Sequence, residues 1–92
     1  MAQIIKATGE QIEVEPRNGT DFQLDELQKI VGGFIEVVWL RGDKLMVVNE
    51  MGKINGLPIN SKASRIVCLY SKYHTTDIIV GDVLYCNKNQ VL

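Results

Sequence analysis

Between Leu24 and Asn60 the hydrophobic period of the chain changes from helical to extended across a pair of glycines, and this restricts the fold more than any other feature. Leu24, Leu27, Ile30 and Val31 recur at spacings of three and four, so they share one helical face, while Gln23, Asp25, Glu26, Gln28 and Lys29 face water. Thr20 and Gln23 stand in the relation of a capping box, and Asp21, Asp25 and Glu26 put negative charge at the positive end of the helix dipole. A helix is therefore expected to begin near Asp21. Gly32 ends it, since a glycine just past the last apolar position takes a left-handed cap without a steric penalty. Phe34 to Leu40 then reads Phe-Ile-Glu-Val-Val-Trp-Leu, too short for a buried helix and rich in β-branched and aromatic residues. This predicts a strand with two apolar faces, placed at the centre of its sheet, in which Glu36 either points outward or is buried against a partner.

Arg41-Gly42-Asp43-Lys44 is a turn, and Leu45 to Val48 is the returning strand of a hairpin. The Arg-Gly-Asp tripeptide is no adhesion signal here, because a turn between two strands needs Gly and Asp for backbone reasons alone. The next twelve residues, Asn49 to Asn60, hold two glycines, three asparagines and a proline, which predicts a structured loop. Asn60 or Ser61 then caps a second helix, with Ala63, Ile66, Val67 and Tyr70 on one face.

The run Leu27-Gln28-Lys29-Ile30-Val31-Gly32-Gly33-Phe34-Ile35-Glu36 is followed by Asn49-Glu50-x-Gly52-Lys53, by Gly56-Leu57-Pro58-x-Asn60 and by Asp77-x-Ile79-x-Gly81. In this order the motifs resemble a family of small proteins from bacteria, phages and mobile elements described as a domain of unknown function. The resemblance spans roughly residues 20 to 86. It implies one compact domain and a bacterial or phage cytosolic setting, and it supplies neither an activity nor catalytic residues.

Ninety-two residues suffice for one domain with a modest core, and self-association into a homodimer would enlarge the buried surface. Apolar residues make up 46% and charged residues 23%, which argues against disorder and against a membrane protein. The net charge of −1 provides no long-range field for nucleic acid, so phosphate binding would need a local patch. The first residues, Met1 to Lys6, lack the charged and cleavage regions of an export signal, and the expected compartment is the cytoplasm. Cys68 and Cys86, each flanked by apolar residues, are expected as small core residues rather than a disulfide.

Towards the N-terminus, Gln3 to Ala7 and Gln11 to Glu15 read as strands, the second with a polar face that suits a sheet edge. Asn18-Gly19 turns the chain into the first helix. Ser71 to Thr76 is a polar loop, Val83 to Cys86 a last strand, and Asn87 to Leu92 a polar tail expected to fray. The order β-β-α-β-β-loop-α-β predicts an α+β domain over residues 1–92, its core spanning about 3–86. Both helices are expected on one face of a mostly antiparallel sheet, with Phe34 and Trp39 as large contributors to the core or to the second face.

Candidate chemistry is sparse. His74 with Cys68 or Cys86 would be the only nucleophile and base pair, and no acidic residue stands at a telling distance from the histidine. Two cysteines eighteen positions apart and one histidine fall short of a zinc set, and no phosphate-binding glycine loop follows a strand. No metal and no cofactor is expected. Asp21, Asp25 and Glu26 are accounted for by the helix dipole. The Asn49 to Asn60 loop is the best candidate surface: Asn49, Glu50, Lys53, Asn55 and Asn60 offer donors and acceptors beside Gly52 and Gly56, where backbone can approach a ligand. Lys62 and Arg65, one turn apart on the second helix, form the local basic stripe that nucleic-acid binding would use. The sequence thus points to a non-enzymatic binding module for a protein or a small ligand. A nucleic-acid-binding regulator is the second reading and a small Cys/His enzyme the last.

Overall fold

In the computed structural model, residues 2–71 and 78–91 are described. The elements follow in the order β1 (Ala2–Ile5), β2 (Gln11–Val14), α1 (Leu24–Val31), β3 (Ile35–Trp39), β4 (Lys44–Asn49), α2 (Ser61–Tyr70) and β5 (Val83–Asn87), closed by a short 3₁₀ turn at Lys88–Gln90. The five strands form one sheet in the spatial order β2-β1-β5-β4-β3, every neighbouring pair antiparallel. The α+β class and the order of elements are those expected from the sequence. β5 is the exception to local pairing: it enters between β1 and β4 and joins two hairpins into one sheet.

Side chains alternate across a strand, so β4 shows how the layers are arranged. Leu45 and Val47 pack with Leu27 and Val31 of α1, whereas Met46 and Val48 pack with Ala63 and Val67 of α2. The helices therefore cover opposite faces, not the single face expected. β4 is buried on both sides, with Leu45, Met46 and Val47 at 0% exposure, and so is β5, whose Val83 and Leu84 enter the two cores. Among the described residues β3 is an edge strand, against the expectation that it is central. Its apolar character has another cause: Val37 and Trp39 pack on the α1 side, while the other side opens onto a cavity. Glu36 is exposed, on the side of β3 that opens onto this cavity. Phe34, expected as a large contributor to the core or to the second face, lies outside β3 and is 68% exposed.

Local chemistry sets the ends of the helices. α1 starts one turn later than expected: Gln23 is its N-cap, and the Glu26 carboxylate accepts from the Gln23 amide at 2.8 Å, so the capping box is Gln23/Glu26. Thr20 belongs to a preceding turn in which Asn18 Oδ1 accepts from the amides of Thr20 and Asp21. At the other end Gly32 has φ of +81° and donates its amide to the Gln28 carbonyl, the left-handed cap predicted.

Three further expectations are corrected. Over its described residues, 87–91, the tail is held rather than frayed, since the Phe22 amide donates to the Gln90 carbonyl at 2.6 Å and the Lys88 amide to that of Asp43 at 2.7 Å. Cys86 is buried, but Cys68 is exposed on α2; both are free thiols. Tyr70 is half exposed at the end of α2, because the face that packs is set by Ala63 and Val67.

Candidate functional site

The α2 side of β3 and β4 is not fully covered, and a cavity of about 320 Å³ remains there, at the lower end of the roughly 300–1,000 Å³ usual for small-ligand sites. Its apolar surface comes from Val38 of β3, Val48 of β4, Val67 of α2 and Ile79. Ile54 and Ile78, 77% and 51% exposed, stand at its rim together with the charged residues Glu36, Glu50 and Lys53.

The strand register places the two carboxylates. Glu36 lies opposite Val48, and the Glu50 amide donates to the Phe34 carbonyl at 2.8 Å, which extends the β3 and β4 pairing by one step. Glu36 and Glu50 are therefore diagonal neighbours on one face, the separation at which long side chains still meet a common partner. Both are exposed, and among the described residues neither carboxylate is held by a hydrogen bond or an ion pair. Lys53 already has an interaction of its own.

The loop that forms one wall is built by its own backbone. Asn55 donates to Met51, Gly56 to Lys53 and Leu57 to Gly52, at 2.9, 3.2 and 3.0 Å. It is fastened to the segment after residue 77 by two bonds, from the Asn60 amide to Ile79 and from the Gly81 amide to Pro58, at 2.8 and 2.7 Å. Gly52 is required where these two stretches touch: a Cβ there would stand 2.8 Å from Cγ2 of Val80. The Ser64 hydroxyl of α2 adds a further tie, accepting from the Ile79 amide at 2.9 Å. Wall and floor are thus one rigid unit.

The residues singled out from the sequence divide into two groups. Glu50 and Lys53 present side chains at the rim of the cavity, and Asn49 lies beside them. The two buried asparagines have their amides engaged by backbone. Asn49 Nδ2 donates to the Val31 carbonyl at 3.0 Å and its Oδ1 accepts from the Met51 amide at 2.9 Å, which joins the end of α1 to the start of the loop. Asn60 Nδ2 donates to the carbonyls of Ile5 and Gly81, both at 2.8 Å, and its Oδ1 caps α2 through the Ala63 amide at 3.0 Å. Gly52 and Gly56 shape the loop, and Asn55 is exposed. On α2, Lys62 Nζ donates to the Gly9 carbonyl at 2.7 Å and to Gln11 at 3.1 Å, fastening the helix to the β1 and β2 turn, while Arg65 is exposed.

Sequence reading missed Glu36, Val38, Ile54 and Ile78 as parts of a site. The signal for Glu36 was present, because one carboxylate interrupting an apolar strand implies either a buried partner or an open face. His74 lies outside the described residues. Burial pushes the Cys86 thiol up to about 11, which removes it as a nucleophile near neutral pH. Among the described residues no group of three or more His, Cys, Asp or Glu is placed to hold a metal, and no helix is long and apolar enough to cross a membrane.

A five-stranded antiparallel sheet with one helix on each face and a cavity beside its β3 edge defines a small α+β domain. The model of the domain of unknown function DUF3846 matches residues 1–90, and the chain belongs to that family. No curated protein and no solved structure matches it.

Proposed function

We propose that the protein is a non-enzymatic binding module whose ligand is a small molecule held in the cavity between β3, β4, α2 and the Asn49 to Asn60 loop. The observation that carries this reading is the combination of an apolar floor, Val38, Val48, Val67 and Ile79, with a rim of charged side chains on a braced loop. Such a site offers burial for affinity and a few polar groups for orientation. Pre-formed walls also lower the entropy lost on binding. The nucleic-acid reading has less support, because Lys62, although exposed like Arg65, already donates to Gly9 and Gln11.

Native mass spectrometry of protein purified gently from its own host's lysate tests the proposal. A co-purifying small mass that is absent from a Val38→Trp variant of unchanged melting temperature is the expected result. A bare chain, or a chain carrying only another protein, would overturn it.

A further inference from the structure

Resting on that reading, we infer that the ligand is an organic cation: an amine or guanidinium attached to an apolar body. Glu36 and Glu50 project from neighbouring strands on the face that opens into the cavity, and no hydrogen bond or ion pair occupies either carboxylate among the described residues. Two like charges at diagonal positions repel, modestly in water and more strongly as a ligand displaces water from the mouth. A cation between them reverses the sign of that term and donates charge-assisted hydrogen bonds to the carboxylates, which are about twice as strong as neutral ones. An anion would meet both carboxylates, and a neutral ligand would leave their repulsion in place while excluding water from them. The apolar body has its own place on Val38, Val48, Val67 and Ile79, beneath the exposed Ile54 and Ile78. Ligand charge at the rim and ligand carbon on the floor are therefore selected by different residues, which makes them separable.

Isothermal titration of the protein with 2-phenylethylamine, 2-phenylethanol and 3-phenylpropanoate distinguishes the two contributions. The amine is expected to bind at least about tenfold more tightly than the alcohol, the carboxylate least, and added salt should narrow the difference. Glu36→Gln and Glu50→Gln, both exposed substitutions, should each weaken the amine several-fold and leave the alcohol unchanged. Equal binding of amine and alcohol, or an amine affinity indifferent to both substitutions, would overturn the cation inference while leaving the cavity as a binding site. Failure of all three compounds to bind would overturn the inference and the binding-site reading together.

Discussion

The side-chain amide of Asn60 donates to the Ile5 carbonyl at 2.8 Å, joining positions 55 apart in the chain. The same side chain bonds Gly81 and caps α2, so it holds the start of the helix, the end of β1 and the turn before β5 in one arrangement. Asn60 has no exposed surface, and its loss leaves buried carbonyls and a helix amide without partners. Asn60→Ala is expected to destabilise the domain by about 2 to 4 kcal/mol, read from the midpoint of urea unfolding. Asn55→Ala, in the same loop but exposed, should cost less than about 0.5 kcal/mol. Equal effects at the two positions would refute the distinction between brace and surface.

Gly52 and Val80 form the second brace. Because a Cβ at residue 52 would come within 2.8 Å of Cγ2 of Val80, Gly52→Ala should cost about 1 to 3 kcal/mol. Val80→Ala makes room for that Cβ, so the double variant should be more stable than the sum of the single effects predicts. Strict additivity in a double-mutant cycle would show that the two stretches are not in contact.

The left-handed cap of α1 gives a third expectation. Gly32 has φ of +81° with open space around the missing Cβ, so the cost of a side chain there is conformational rather than steric crowding from elsewhere. Gly32→Val should lower stability by more than about 1 kcal/mol. An unchanged melting temperature would exclude the cap.

The two thiols should behave differently. Cys68 is exposed and should react with a thiol reagent in the native state, whereas Cys86 should react only after unfolding. The folded state holds the Cys86 proton up to about pH 11, against an unperturbed 9.0. Between these values the unfolded chain binds fewer protons than the folded one, so this thiol's contribution to stability is intact below about pH 9 and is lost as pH rises towards 11. Cys86→Ala should flatten that part of the stability profile. A profile identical to that of the unsubstituted protein would remove the thiol as its cause.

Much of this fold could be read locally. The periodicity of Leu27 and Val31, the glycine after them, the β3 and β4 hairpin and the asparagine at the head of α2 are short-range signals, and each corresponds to an observed element. The position of β5 depends on pairing Ala2 with Cys86 and Leu45 with Cys86, contacts between distant parts of the chain that no window of residues contains. That insertion makes β4 an interior strand, leaves β3 at the edge and lets the helices take opposite faces. The tail was misread for the same reason, since its anchor is the Phe22 amide. In the candidate site, Glu50 and Lys53 were legible as polar loop residues, but Asn49 and Asn60 resembled them in type and proved to be structural. Glu36 and Val38 were hidden inside an apolar strand until the exposed side of that strand was known.

Amide chemical-shift mapping of the isotope-labelled protein against a mixed library of small amines, acids and neutral compounds is the most direct test of the binding-site reading. Binding through this cavity predicts that the shifts produced by the compounds that bind cluster at Val38, Val48, Ile54 and Ile79. Shifts clustered instead in the groove of Ile4, Val14 and Ile30 on the α1 side, or no shifts across the library, would contradict it.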